Sequence, residues 1–229
     1  MMCNNYRGIS VMDTLAKLYD TMILNRLQLW WNIDKCQAGA QKKRGCVEQI
    51  TTLRLLCDYA AYKKRKLYVL FVDFSKAYDR VHRGKLVESL KHSGCGKMMI
   101  KAIKAMYTCS RNVLKSAVID SSIGVRQGAP TSCLLFTLYI DNMVKMLKNE
   151  ITVDSFLGNL HVLLLMDDAV ILSSSREMCE KKLNIVLEYC NQYGMVINEK
   201  KTTFFVINGQ ERDRQDLRAG GVSVRYVAR

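Results

Sequence analysis

The 229-residue sequence has a single proline, Pro130, and no segment rich in proline, glycine or serine. A flexible linker between independent modules is therefore not indicated. Charged residues interrupt every apolar run well before the 18 residues of a membrane-spanning helix, and the N-terminus has no apolar signal core. These absences predict a chain of one large or two small domains that is not secreted and has no membrane partner.

Paired metal-binding cysteines are also missing. The nine cysteines include no C-x-x-C pair, and there are only three histidines. Neither a zinc site nor a disulfide framework is therefore predicted. An odd number of scattered cysteines is typical of a reducing compartment, which predicts an intracellular location in the nucleus or cytoplasm.

Negative charge is scarce, with 21 Asp and Glu against 35 Lys and Arg, a net charge of +14 and a pI near 9.4. Residues 1–66 alone carry 12 basic and five acidic residues, with basic runs at 42–44 and 63–66. Any single run is as readily a solvated face. A membrane surface would also attract this charge, but the sum over the domain favours nucleic acid.

Hydrophobic periodicity predicts the secondary structure. Helices are expected at 11–31, 47–62, 84–93, 97–108, 131–148 and 176–192, the last ended by Gly194. Strands are expected at 67–74, near 112–119 and at 202–208, with a hairpin over 160–173. From residue 67 the order is close to the split βαβ plan, an antiparallel sheet with helices on one face.

Three aspartates lie next to apolar strands. Asp73 ends the run LYVLFVDF, and Asp167 and Asp168 lie between LLLM and AVIL. An exposed turn is the ordinary interpretation of an isolated Asp-Asp pair. However, a matching acid on another strand and an acidic spot in a basic chain favour bound cations, and oxygen ligands without His or Cys suit Mg²⁺. Together the acids indicate a two-metal site for displacement at phosphorus.

Several motifs follow one another in a fixed order. They are NYRGIS at 5–10, LAKLYDTMILNRL at 15–27, QAGAQKKRG at 37–45, FVDFSKAYDRV at 71–81, GVRQGAPTSCLLFTLYIDNM at 124–143, LMDDAVIL at 165–172 and YGMVINEKKT at 193–202. Over nearly the whole chain, residues 4–208, this set resembles the reverse transcriptases of non-LTR, LINE-type retrotransposons. In that family an aromatic residue and Ala usually stand where this chain has Leu165 and Met166.

The resemblance implies an α+β chain with the right-hand polymerase fold. Helical fingers are expected at 1–66, a palm with an antiparallel sheet of split βαβ type at 67–208, and a C-terminal remnant or the start of a thumb at 209–229. The thumb would be largely missing, and no endonuclease region precedes the fingers. The chain is therefore expected to be a fragment of a longer parent polyprotein or a degenerate copy.

The resemblance also implies RNA-directed DNA polymerase activity. The enzyme would add deoxynucleotides from deoxynucleoside triphosphates to a DNA primer on an RNA template, using two Mg²⁺ ions for which Mn²⁺ can substitute. Asp73, Asp167 and Asp168 would bind the metals, and Lys201 would donate a proton to the leaving pyrophosphate. Lys200, next to it, is the alternative for that role.

Further residues are expected to contact the substrates. By the resemblance, Phe74 would offer its backbone to the triphosphate, Tyr78 would gate the sugar, and Gln127 with Gly128 would lie against the incoming nucleotide and template. The phosphate contacts would be Arg44, Lys42 and Lys43. From the residues alone, Phe74 and Tyr78 are more readily core residues, and Gln127 as readily forms a capping or loop hydrogen bond.

Two other functions remain open at this point. A non-catalytic, nucleic-acid-binding remnant of a retrotransposon polymerase would keep the fold and the basic surface. An unrelated Mg²⁺-dependent phosphohydrolase would explain the acids but neither GVRQGAP nor the basic runs.

Overall fold

The computed structural model describes residues 10–108, 110–114 and 117–228, so only Ser10 of the predicted block at 5–10 falls within it. The helices are α1 (Thr14–Trp30), α2 (Cys46–Tyr62), α3 (Arg83–His92), α4 (Lys97–Thr108), α5 (Ser132–Glu150) and α6 (Arg176–Tyr193). The strands are β1 (Leu67–Val72), β2 (Arg111–Leu114), β3 (Ala117–Asp120), β4 (Val162–Leu165), β5 (Asp168–Ser173), β6 (Thr203–Ile207), β7 (Leu217–Ala219) and β8 (Val222–Tyr226).

Capping residues define the start of α1 and both ends of α6. The Asp13 carboxylate accepts a hydrogen bond from Leu15 N at the start of α1, and Ser175 Oγ accepts one from Met178 N at the start of α6. Gly194 ends α6 with φ of 72°, a left-handed conformation that glycine adopts without steric penalty. All six predicted helices are confirmed. In the described part of the chain, no helix combines the length and hydropathy needed to cross a membrane.

The chain divides into two compact units, one of residues 1–32 and 78–139, the other of residues 33–77 and 140–229. Their bounds do not follow the predicted division at residue 67. Helix α2, predicted to belong to the fingers, lies in the same unit as the strands of the predicted palm. Fingers and palm, as functional names for 1–66 and 67–208, stay a prediction.

The first unit contains α1, α3, α4 and a two-stranded hairpin. The single strand predicted near 112–119 is in fact this hairpin, β2 paired with β3 in antiparallel register from Arg111↔Asp120. The buried Asp20 of α1 accepts hydrogen bonds from Thr131 N (3.1 Å) and Thr131 Oγ1 (2.7 Å), just before α5 begins. Its desolvated carboxylate is thus satisfied by protein donors.

The second unit is built on a six-stranded sheet of order β4-β5-β1-β6-β8-β7. The central strand β1 pairs antiparallel with both β5 and β6, and only the β6–β8 pairing is parallel. The predicted hairpin over 160–173 is confirmed as β4 and β5 joined by a two-residue turn.

Helices cover both faces of this sheet, because α2, which precedes the βαβ order predicted from residue 67, covers one of them. Side chains of α2 pack against alternate residues of β1, such as Leu67 and Val69. On the other face Tyr68 pairs with Ser173, and Lys182 of the buried side of α6 donates to the Leu172 carbonyl. Because both faces are covered, β1 is a continuous apolar run instead of an alternating one.

The C-terminal residues extend the sheet. β8 runs parallel to β6, and β7 forms the edge. Between β6 and β7 lies the buried Asp213, which accepts hydrogen bonds from Tyr68 Oη (2.6 Å), Lys66 Nζ (2.7 Å) and Gln210 N (2.8 Å). Burial alone would raise the pKa of Asp213, but the bonds from Lys66 and Tyr68 outweigh it and lower the pKa to about 2.

Candidate active site

Asp73 directly follows the last residue of β1. Its backbone is hydrogen-bonded to residues of the turn that precedes β6. Its N–H donates to Thr202 Oγ1 (3.2 Å), and its carbonyl accepts from Asn198 N (2.8 Å). The Thr202 side chain is fully buried, so this anchor is rigidly packed. The strand end therefore presents Asp73 at a fixed position.

Asp168 opens β5 opposite that position. The last paired residues of the two strands are Val72 and Ala169, so one further step of the same antiparallel register brings Asp73 opposite Asp168. Directly opposed residues have Cβ atoms about 4.5–5.5 Å apart, and two like charges there destabilise the sheet. Among the residues described, no donor or cation lies within hydrogen-bond or ion-pair distance of either carboxylate.

Both acids line a cavity of about 360 Å³ in the second unit, and Lys201 lines it with them. Lys201 lies on the turn before β6, where its N–H donates to the Asn198 carbonyl (3.1 Å). The remaining walls come from the first turns of α2 and from β1, β4 and β5; they include Cys46, Gln49, Ile50, Leu53, Phe71, Leu163 and Val170. Lys201 therefore faces this cavity with the two acids, whereas its neighbour Lys200 is not part of the wall.

Asp167 lies on the turn between β4 and β5, after Met166. Met166 has φ of 57°, a left-handed conformation that costs a non-glycine residue about 1–2 kcal/mol. Within residues 10–108, 110–114 and 117–228, no three His, Cys, Asp or Glu side chains are placed to hold one metal ion. The inclusion of Asp167 as the third metal ligand stays a prediction.

Two carboxylates with no donor in the described part of the chain suit a hard divalent cation. Asp73 and Asp168 offer oxygen ligands only, at the rim of one cavity. Mg²⁺ is commonly bound through one or two carboxylates together with substrate phosphates, so it does not require a cage of three protein groups. The residues present therefore fit Mg²⁺, with Mn²⁺ as an alternative of similar ligand preference.

Phe74 is buried and forms an isolated antiparallel bridge with Ile197. The flanking hydrogen bonds are Ser75 N to the Val196 carbonyl and Asn198 N to the Asp73 carbonyl. Phe74 and Ile197 are thus a non-hydrogen-bonded pair, and the Phe74 N–H points away from this partner. That orientation of the N–H is compatible with the predicted contact between the Phe74 backbone and the triphosphate. The Phe74 ring packs in the core.

The three residues predicted to contact phosphate differ in whether their side chains already have protein partners. Lys42 and Lys43 are exposed. The Arg44 guanidinium instead forms an ion pair with Glu48 (2.8 Å) and donates to the Lys35 carbonyl (2.8 Å). The hydrogen bond to Glu48 raises the pKa of Arg44, and the side chain is engaged in holding its own loop. A phosphate contact for any of the three stays a prediction.

The remaining predicted site residues belong to the first unit. The Tyr78 ring stacks on Phe136 with centroids 4.6 Å apart, and its hydroxyl lies 3.7 Å from Cys133 Sγ. Gln127 Nε2 donates to Asp79 Oδ1 (3.1 Å), and Gly128 has φ of 106° in the adjoining turn. The sugar-gating and nucleotide contacts of these residues stay predictions.

Comparison with known proteins shows the family to which the chain belongs. The family model described as "Reverse transcriptase (RNA-dependent DNA polymerase)" matches residues 2–226. The chain belongs to the reverse transcriptase family. Its resemblance to the non-LTR retrotransposon enzymes is confirmed by its relatives: it is 25% identical to the Pol polyprotein of the type-2 retrotransposable element R2DM of Drosophila melanogaster and 23% identical to the RNA-directed DNA polymerase of the mobile element jockey of Drosophila funebris.

These matches cover 92% of this chain but 20% of the R2DM polyprotein and 24% of the jockey polymerase. This reverse transcriptase chain therefore spans about a fifth to a quarter of the length of those relatives. Among solved structures, a telomerase from Candida tropicalis in complex with a TWJ fragment of telomeric RNA superposes with a TM-score of 0.61 at 16% identity, covering 93% of this chain and 36% of the telomerase chain. The predicted α+β polymerase fold is confirmed.

Proposed function

We propose that this reverse transcriptase chain catalyses RNA-directed DNA synthesis: it transfers deoxynucleotides from deoxynucleoside triphosphates to a DNA primer on an RNA template. One observation carries the proposal: Asp73 and Asp168, opposed at two strand ends, line one cavity with Lys201 and have no donor on either carboxylate among the described residues. Opposed like charges on neighbouring strands repel each other, and a cation bound between them would remove that repulsion.

In this mechanism Asp73 and Asp168 would hold two divalent cations, with Asp167 on the adjoining turn as the third acid. The bound cations would neutralise charge on the phosphates and lower the pKa of the primer 3′-hydroxyl. The acids act by position, because phosphoryl transfer needs alignment and charge stabilisation more than covalent help. The buried anchor of Asp73 on Thr202 and Asn198 supplies that rigidity.

Lys201 supplies a positive charge on the same wall of the cavity. As the bond to the leaving pyrophosphate breaks, negative charge develops on its oxygens, and an ammonium group there stabilises the charge and can give up a proton. The apolar side chains Ile50, Leu53 and Phe71 contribute to the wall of the same cavity.

Primer extension with Mg²⁺ on matched RNA and DNA templates tests the proposal. The wild-type chain should extend the primer, and Asp73→Asn and Asp168→Asn should each reduce the rate by a factor of about 100 or more, the scale for removing one charge-stabilising group. Asp58→Asn is the matched control, because Asp58 is an exposed carboxylate on α2 that does not line the cavity. It should extend within about threefold of wild type, since surface substitutions of this kind have small effects.

Three results would overturn the proposal. A wild-type chain that binds template and primer but adds no nucleotide would indicate the non-catalytic remnant. Hydrolysis of phosphate esters without extension would indicate the phosphohydrolase. Asp73→Asn and Asp168→Asn enzymes as active as the Asp58→Asn control would place the chemistry elsewhere in the chain.

A further inference from the structure

Gln37 is a buried polar side chain that contacts the turn carrying the acids. It is 2% exposed, and its side-chain amide binds both backbone groups of Met166: Oε1 accepts from Met166 N (2.9 Å) and Nε2 donates to the Met166 carbonyl (3.3 Å). Oε1 also accepts from Gly39 N (2.7 Å). Gln37 begins the motif QAGAQKKRG, but the sequence does not disclose this contact, because 129 residues separate the two partners.

The segment around Gln37 is docked against the edge strand β4. Ala38 N donates to the Leu164 carbonyl (2.8 Å), and Leu164 N donates to the Cys36 carbonyl (2.9 Å), which makes a short parallel bridge. Gln49 Nε2 donates to the carbonyls of both Cys36 (2.9 Å) and Leu164 (3.0 Å). The backbone that carries Gln37 is therefore fixed to the strand that leads into the turn.

Gly39 brings this segment against the turn more closely than any other residue type would allow. A Cβ atom there would lie 2.7 Å from Met166 Sδ and 2.9 Å from Met166 N. Cβ atoms in real proteins essentially never make contacts that short, so the turn or the segment would have to move. Gln37 and Gly39 together fit the turn as a clamp, here called the turn clamp.

The turn needs such support. Met166 holds a left-handed conformation that persists only where neighbouring groups impose it, and an unbonded N–H in a half-buried turn is unfavourable. The clamp forms hydrogen bonds with both the N–H and the carbonyl of Met166. It therefore fixes the backbone position from which Asp167 and Asp168 follow. The Gln37 amide and the acid pair are thus coupled through one turn of backbone.

We propose that Gln37 is a positioning residue for the acids: through Met166 it sets the location of Asp167 and Asp168 relative to Asp73. The consequence for metal binding and extension rests on the proposed function, whereas the effect on the turn does not. Groups that orient metal ligands typically change metal affinity or activity by about 10- to 100-fold when removed.

The first test needs no metal and no substrate. Backbone amide hydrogen exchange is measured in EDTA for wild type, Gln37→Met and Gln41→Ala. Methionine keeps the volume of glutamine but has no donor and only a weak acceptor. Exchange of the Met166 amide should accelerate at least about tenfold in Gln37→Met, while the Leu164 amide, bonded to the Cys36 carbonyl, should stay within about threefold.

Gln41→Ala is the matched control, because Gln41 Nε2 donates to the Gln37 and Asp34 carbonyls in the same segment and, among the described residues, forms no hydrogen bond with the turn. It should leave Met166 exchange within about threefold of wild type. Unchanged Met166 exchange in Gln37→Met, or equal acceleration in Gln41→Ala, would overturn the clamp whether or not the chain is a polymerase.

The second test follows Mn²⁺ binding by electron paramagnetic resonance, alongside extension in Mn²⁺. Gln37→Met should weaken Mn²⁺ affinity about 10-fold or more and lower the extension rate constant more than it raises the nucleotide KM. Gly39→Ala, which presses on the same turn from the other residue of the clamp, should act in the same direction. Wild-type Mn²⁺ affinity in both variants would refute the positioning role, whereas no Mn²⁺ binding by the wild-type chain would refute the proposed function and leave the exchange result standing.

Discussion

The central strand β1 has an aspartate near each end, and the protein treats the two acids in opposite ways. Near its first residue, Asp213 accepts three hydrogen bonds, from Tyr68, Lys66 and Gln210. Beyond its last residue, about 20 Å away for a six-residue strand, Asp73 faces Asp168 across a cavity with no donor among the described residues. An aspartate satisfied by the chain stabilises the fold, while one left open is available to a ligand.

Removing the satisfied acid should have the largest effect on stability. Asp213→Ala should lower the free energy of unfolding by about 2–3 kcal/mol, because it leaves the buried Tyr68 hydroxyl without an acceptor and Lys66 without its counter-charge. Urea unfolding at pH 7 measures this, with Asp58→Ala as the exposed control. If Asp213→Ala lowered the free energy of unfolding no more than Asp58→Ala does, the acids at the two ends of β1 would not differ in their contribution to stability.

Low pH should remove the stabilisation that the Asp213 carboxylate provides. The pKa of Asp213 is lowered to about 2 in the folded chain, below its ordinary value of 3.8, so its contribution is complete above pH 4 and is lost as pH falls through about 2. Compared at successive pH values by urea unfolding, wild type and Asp213→Asn should differ by a constant amount from pH 5 to 7 and converge below pH 4. A gap that widens on acidification would contradict the assignment of donors to Asp213.

Neutralising the open acids should have a smaller effect, and of opposite sign. In EDTA, Asp73→Asn or Asp168→Asn should raise the free energy of unfolding by about 0.2–1 kcal/mol, the range for opposed like charges in a sheet. Added Mg²⁺ should stabilise the wild-type chain and neither variant, because a ligand stabilises only the state that binds it. Thermal unfolding with and without Mg²⁺ is the measurement; destabilised variants in EDTA would show that the acids have protein partners after all.

The smallest expected effect is a difference in salt dependence of nucleic-acid affinity between the basic runs at the two ends of α2. Lys42 and Lys43 precede the helix turns that line the cavity, and Lys63 and Lys64 follow the helix about 25 Å further along. Lys42→Ala with Lys43→Ala should flatten the log–log salt dependence of template–primer affinity by about 0.9 for each lost phosphate contact on duplex DNA. Fluorescence anisotropy at several salt concentrations should show no change for Lys63→Ala with Lys64→Ala; equal slopes in both pairs would move the contact surface.

The sequence predicted elements whose signal is local. The apolar run of β1, the hairpin around Asp167 and Asp168, and the end of α6 at Gly194 were all expected from patterns a few residues long, and the structure confirms them. β7 and β8 were not predicted, although Gly220 and Gly221 between alternating apolar residues carry the usual signature of a hairpin turn.

Long-range contacts could not be predicted in the same way. The Gln37 side chain meets Met166 only in the folded chain, and no periodicity connects them. Arg44 was expected at a phosphate because of its charge, but the sequence does not disclose that Glu48 and the Lys35 carbonyl occupy its guanidinium. The pairing of Asp73 with Asp168 could be expected as a shared site, while its geometry depends on the register of β1 and β5.

The position of β1 in the sheet also determines when the second unit can form. Leu67 pairs with Ile207, so about 140 residues must be synthesised before the central strand has both neighbours. At roughly 5–20 residues per second a ribosome needs about 7–28 seconds for that stretch, during which β1 lacks at least one of its two strand partners. Contacts of such sequence separation form slowly. Low synthesis temperature or a chaperone that shields residues 67–72 should therefore raise the yield of folded chain more than any surface substitution.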